Sequence, residues 1–77
     1  MKSIAIQLTT AENVQKFTAI TSKYPYDIDI RSDRYVVNAK SILGIFSLNL
    51  TKPLVLEIHN NDSAQLIEEL NEYIIKN

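Results

Sequence analysis

The sequence predicts an α+β fold, a small antiparallel sheet with helices packed on one face. Three observations carry this. Apolar residues alternate strictly in three places (Ile4, Ile6, Leu8; Tyr26, Ile28, Ile30; Leu54, Leu56, Ile58), the period of a half-buried strand. Between and after them, apolar residues recur at three- and four-residue spacing, the period of an amphipathic helix. With 77 residues the chain has room for one core and no second, so a single domain spanning 1–77 is expected.

The first strand is expected over Ile4–Leu8. Thr9 or Thr10 then caps a helix, and Thr9-Thr10-Ala11-Glu12 reads as a capping box in which Glu12 reaches back. Val14, Phe17, Ile20 and Tyr24 form that helix's apolar stripe. Pro25 ends it, because proline disfavours helical dihedrals at the preceding residue and cannot donate a backbone bond. After the second strand (Tyr26, Ile28, Ile30), Ser32-Asp33-Arg34 is a short polar turn. Tyr35–Ala39 is β-branched enough to be its hairpin partner. Lys40–Leu50 holds Ile42, Leu43, Ile45, Phe46, Leu48 and Leu50 around the only glycine, Gly44. Periodicity fits a short buried helix or a strand there and does not choose between them. Pro53 breaks the run before the last strand. Asn61-Asp62-Ser63 supplies capping chemistry for a final helix whose stripe is Leu66, Ile67, Leu70, Tyr73 and Ile74.

Composition excludes several classes. Apolar residues make up 45% and charged residues 22%, a globular mixture. A domain of this size buries only roughly 60% of its unfolded surface, so modest stability is expected. The absence of cysteine removes disulfides, thiolate metal sites and a cysteine nucleophile. No apolar run has membrane-spanning length, and Met1-Lys2-Ser3-Ile4 lacks the apolar stretch of a secretory signal. A cytoplasmic protein with no membrane association is expected. Eight basic and nine acidic residues nearly cancel, so direct nucleic-acid binding by charge is not expected. The halves differ mildly, +2 over residues 1–40 (six basic, four acidic) and −3 over 41–77 (two basic, five acidic). One glycine leaves no phosphate-binding loop, dinucleotide fingerprint or nucleophile elbow, and no cofactor is expected.

Lys40-Ser41-Ile42-Leu43-Gly44-Ile45-Phe46-Ser47-Leu48 closely resembles the Lys-Ser-Ile-Met-Gly-Val-Met-Ser-Leu segment of HPr, the histidine-containing phosphocarrier of the bacterial sugar phosphotransferase system. Thr21-Ser22-Lys23-Tyr24 is similar to the end of that family's first helix, and Tyr24 to Ser41 fits without a gap. The resemblance covers essentially the whole chain. It implies the family's open-faced β-sandwich, β-α-β-β-α-β-α, a four-stranded antiparallel sheet with helices on one face. It also makes the ambiguous stretch a short helix beginning near Ser41. The implied protein is not an enzyme; it works on protein partners.

One departure from the family pattern bears on function. HPr carries a Gly-hydrophobic-His-Ala-Arg-Pro motif at the start of its first helix, where the histidine accepts phosphate and the arginine stabilises it. The matching positions here are Thr10-Ala11-Glu12-Asn13, and only Ala11 agrees. Thr10 has no imidazole, and Glu12 puts an anion where the family has a cation. At about 4 Å and an effective dielectric of about 20, that reversal shifts the interaction with phosphate by several kcal/mol in the unfavourable direction. The histidine relay is therefore expected to be lost, as in the catabolite-repression branch of the family, which lacks the histidine and keeps the serine that aligns with Ser41.

The resemblance assigns Ser41 as a regulatory phosphorylation site, used in the family by the ATP-dependent HPr kinase/phosphorylase. A helix N-cap also requires a residue of this kind whatever its regulation. Lys40, Ile42, Ile45, Phe46 and Leu48 match the surface through which the family docks on partners, although a domain this small must place some of these in its core. The implied partners are that kinase, a transcriptional regulator or a phosphotransferase-system protein, with the chain itself a monomer or weak homodimer. Two further readings remain, a nonphosphorylated adaptor or structural subunit, and a phosphocarrier using His59 or Thr10. His59 is the only histidine; it is expected in the last strand on the same face as Glu57, loosely paired with it. Two such ligands are too few for a zinc site, so no metal is expected. Glu68, Glu69 and Glu72 read as a solvated helix face, and Tyr24, Tyr26 and Tyr35 as packing at the sheet ends.

Overall fold

The computed structural model describes residues 1–76. Strand β1 (Lys2–Ile6) is followed by helix α1 (Ala11–Thr21), the hairpin β2 (Ile28–Ser32) and β3 (Tyr35–Asn38), and helix α2 (Ile42–Phe46). Strand β4 (Leu54–Ile58), helix α3 (Ala64–Glu69) and a 3₁₀ turn at Asn71–Tyr73 complete the chain. The sheet order is β1-β4-β2-β3, every pair antiparallel. The sequence-based architecture is therefore found, with β4 and β2 at the sheet's centre.

Alternation decides which face each strand residue takes. Ile6, Ile28, Ile30, Leu54, Leu56 and Ile58 point into the core beneath the helices and are essentially buried. Asp29, Arg31, Val55 and Glu57 point to the open face. The two faces are fixed by register: Ile30 sits opposite Leu56 and Asp29 opposite Glu57, so a one-residue slip exchanges core for solvent along a whole strand. Val14 and Phe17 from α1, Ile45 and Leu48 around α2, and Leu66 and Leu70 from α3 close the core from above. The Phe17 and Tyr73 rings meet edge-to-face, centroids 6.0 Å apart at 81°. The β2–β3 connection is Asp33-Arg34, and Asp33 takes φ 52°, a left-handed conformation that aspartate tolerates better than β-branched residues do.

The structure corrects several local expectations. Strand β1 begins and ends two residues earlier than the alternation suggested, because Gln7 leaves the β1–β4 ladder to donate to the Tyr73 carbonyl at 2.8 Å. Helix α1 stops at Thr21, ahead of Pro25. Lys23 and Tyr24 donate to the Ile20 and Thr21 carbonyls at 3.1 and 3.2 Å, so the chain tightens into a turn before the proline acts. The Thr21 hydroxyl, buried, donates to the Ala39 carbonyl at 2.9 Å and ties this end of α1 to the segment entering α2. The final helix is shorter than its apolar stripe. It tightens after Glu69, and Ile74 leaves in extended geometry to bridge Ile6, with Ile75 donating to Ala5 at 3.0 Å. The tail thereby covers part of the exposed edge of β1. Tyr24 and Tyr26 pack together at 5.7 Å, whereas Tyr35 is 70% exposed and packs at no sheet end.

Glu69 does not lie on a solvated face. Lys23 and the Tyr24 hydroxyl both donate to its carboxylate, pinning the end of α1 to α3. Those two donors, Lys23 first, hold the Glu69 carboxyl below the ordinary glutamate range, while the same contact pushes the Tyr24 phenol up to about 12. A depressed carboxyl pKa contributes stability above the unfolded-state value, and that contribution disappears as pH falls through the folded value. Glu69→Gln is therefore expected to lower the urea midpoint at neutral pH. As pH falls through and below the ordinary glutamate range, its midpoint should fall less steeply than the parent's.

Candidate protein-docking site

Helix α2 displays a compact apolar surface. Ser41 is its N-cap: the backbone there is extended (φ −104°, ψ 112°), and its Oγ accepts from the Gly44 N–H at 3.0 Å. The Asn38 carboxamide oxygen accepts from the Lys40 N–H at 2.8 Å, and the Asn38 carbonyl accepts from the Ser41 N–H at 3.0 Å, which sets the entry angle of the chain. Gly44 lets the helix sit close: a Cβ there would lie 3.2 Å from Ser41 Oγ and 3.3 Å from Val37 Cβ, so the cap would have to give by a few tenths of an ångström to admit one. Ser41→Ala is expected to cost about 1 kcal/mol of stability, the usual value of an N-cap, read as a lower urea midpoint at constant m.

The phase of this five-residue helix sorts its apolar residues. Ile45 (0% exposed) and Leu48 (9%) are core, so these two candidate docking residues are withdrawn from the surface. Ile42 and Phe46, each 41% exposed, face out together with Leu43 at 83%. Leu43 is the largest single piece of that surface, and sequence reasoning left it out of the docking set. The signal was its position beside Ile42 and opposite Ile45, usable only once the helix phase is known. Lys40 is no free rim charge either. Its ammonium donates to the Tyr24 carbonyl at 2.5 Å, closing the end of α1.

A second candidate site is the N-terminus of α1. Thr10 is the N-cap, and its Oγ1 accepts from the Asn13 N–H at 3.0 Å; the Asn13 amide donates to Thr9 Oγ1 at 3.3 Å. The expected capping box does not form, because Glu12 turns along the helix to Lys16 at 3.4 Å. An open cleft of about 340 Å³ lies against this turn, lined by Gln7, Thr9, Asn13, Glu72, Tyr73, Ile74 and Ile75. Among the described residues its one charged group is the Glu72 carboxylate, and no cation lines it. The Tyr73 phenol beside it is pushed up to about 12, by burial first and then by Glu72.

His59 lies elsewhere. It follows the end of β4 that pairs with Lys2, whereas α1 begins beyond Ile6 at the other end of β1, about 13 Å along the strand. Its Nε2 contacts Asp29 Oδ2 at 3.0 Å. Glu57, expected as its partner, is instead taken by Arg31, with contacts of 3.1 and 3.3 Å to its two oxygens. The pairing differs because Asp29 approaches from the neighbouring strand, a relation that only the β2–β4 register creates.

The family model for the HPr component of the phosphotransferase system, described by its phosphorylation site, matches residues 9–76. The chain belongs to the HPr family. Solved HPr structures share its fold. HPr-C-His from Thermoanaerobacter tengcongensis is 29% identical, with a TM-score of 0.78, covering 94% of this chain and 89% of that one. The phosphocarrier protein HPr of Bacillus anthracis str. Ames is 24% identical, with a TM-score of 0.72 and 96% of each chain covered. The histidine-containing phosphocarrier protein of Mycoplasma is 17% identical, with a TM-score of 0.74, covering 92% of this chain and 89% of that one. No curated protein matches the chain. HPr proteins are phosphocarriers rather than enzymes, and they act on protein partners of the phosphotransferase system. Among the described residues, no helix of this HPr chain is long and apolar enough to cross a membrane.

Proposed function

We propose that this HPr-family chain acts as a protein-binding regulatory module, docking through Ile42, Leu43 and Phe46 and switched by phosphorylation of Ser41. The observation that carries the reading is the joint exposure of those three side chains on one face of α2, next to a half-buried serine at the helix cap. A dianion at a helix start is favoured by the local backbone dipoles, and at the border of an apolar patch it changes which partners fit. The partners proposed are HPr kinase/phosphorylase and a phosphotransferase-system or transcriptional protein, met in the cytoplasm.

Loss of the histidine relay belongs to the same proposal. It rests on Thr10 at the cap, on Glu12 and Glu72 as the nearby carboxylates, and on a cleft with no cation to hold a phosphoryl group. The test is incubation with phosphoenolpyruvate and enzyme I followed by intact mass. The protein is expected to stay at its parent mass. A gain of one phosphoryl group that is lost in Thr10→Ala or His59→Asn would make the chain a phosphocarrier and end the regulatory reading.

A further inference from the structure

The open face of the sheet carries a cluster that the docking surface does not use. Asp29 on β2 lies directly opposite Glu57 on β4, and His59 follows Glu57 by two residues on the same side. One ligand-competent atom from each, two carboxylate oxygens and an imidazole nitrogen, lie within 4.8 Å of one another. The backbone that presents them is tied into the middle of the sheet. Both strands are central, and the His59 N–H extends the ladder past Ile58 by donating to the Asp27 carbonyl at 3.0 Å.

We infer that Asp29, Glu57 and His59 form a binding site for a divalent transition ion of the zinc class. The chemistry of the donors selects the ion. A neutral imidazole with two carboxylates suits zinc, whereas magnesium and calcium prefer oxygen-only sets. Three protein ligands with solvent in the remaining position is the arrangement of an open zinc site. Metal–ligand bonds of about 2.0–2.2 Å place tetrahedral ligand atoms about 3.4 Å apart, so the widest pair must close by up to about 1.4 Å while the His59–Asp29 pair, now at 3.0 Å, opens slightly. Asp29 and His59 can supply that movement, since their side chains are 33% and 38% exposed. Glu57 is the anchor, only 8% exposed, and Arg31 already grips both its oxygens. On metal binding one oxygen turns to the ion and the other stays with Arg31, which then orients the ligand from outside. The ion replaces the present His59–Asp29 contact, and any proton on the coordinating nitrogen leaves for solvent.

The test is a zinc titration of the tag-free full chain, followed by calorimetry and by the imidazole resonances of His59. One equivalent is expected to bind with micromolar affinity and to shift those resonances, with equimolar Mg²⁺ failing to compete. His59→Asn, Asp29→Asn and Glu57→Gln are each expected to weaken binding by at least about tenfold. The first two sites are partly solvent-exposed and keep the fold, so their result stands even if Glu57→Gln is unstable. Absence of binding overturns the inference. So does equal competition by Mg²⁺, or wild-type affinity in folded His59→Asn, Asp29→Asn or Glu57→Gln protein.

Discussion

Leu43→Asp is expected to weaken binding to HPr kinase/phosphorylase by at least about tenfold while leaving the fold intact. Leu43 is 83% exposed, so the substitution removes almost no core contact and its effect on stability should stay within about 0.5 kcal/mol. In a docked complex the same position is desolvated. An apolar anchor at the centre of such a patch commonly contributes about 2 kcal/mol or more, and an aspartate there adds the penalty of an unpaired carboxylate. Isothermal titration against the kinase, with a parallel urea curve, separates the two effects. Ile45→Ala is the matched contrast. It belongs to the core, so the stability curve should move by about 2–5 kcal/mol, with any loss of binding following the loss of fold.

Phe17→Ala is expected to produce the largest stability loss in the chain, about 3–5 kcal/mol. The ring is fully buried between α1 and the strands, and it supplies the edge-to-face contact that holds Tyr73 and the chain's tail against the sheet. A 77-residue domain has little stability in reserve, so this loss approaches the whole. Thermal unfolding should shift downward by about 4–8 °C for each kcal/mol lost. Because Tyr73 also presents its carbonyl to Gln7, amide exchange at Gln7 should quicken ahead of the centre of β4.

The fold was legible because its signals are local and repeated. Strict alternation placed the strand faces, and the 3.6-residue stripes placed α1 and the start of α3. Where signals end is another matter. The stripe Leu66, Ile67, Leu70, Tyr73, Ile74 continues past α3 because Tyr73 stays buried from a 3₁₀ turn and Ile74 stays half-buried from an extended bridge to Ile6. Burial alone does not separate those geometries from a helix. The proposed docking surface was half legible. Family resemblance located α2, but five residues are too few for periodicity to fix its phase, so Ile45 and Leu48 could not be told from Ile42, Leu43 and Phe46. The Asp29–Glu57–His59 cluster was out of reach, since Asp29 and Glu57 are 28 positions apart and meet only through strand register. Both missed features depend on long-range geometry, and neither on propensity.

The proposed switch of this HPr chain is Ser41. The direct measurement is intact mass after incubation with ATP and HPr kinase, with Ser41→Ala protein run alongside. The parent is expected to gain one phosphoryl group and the variant none, with Leu43→Asp protein modified more slowly than the parent. A parent that stays unmodified, or a variant that gains the same mass, contradicts it.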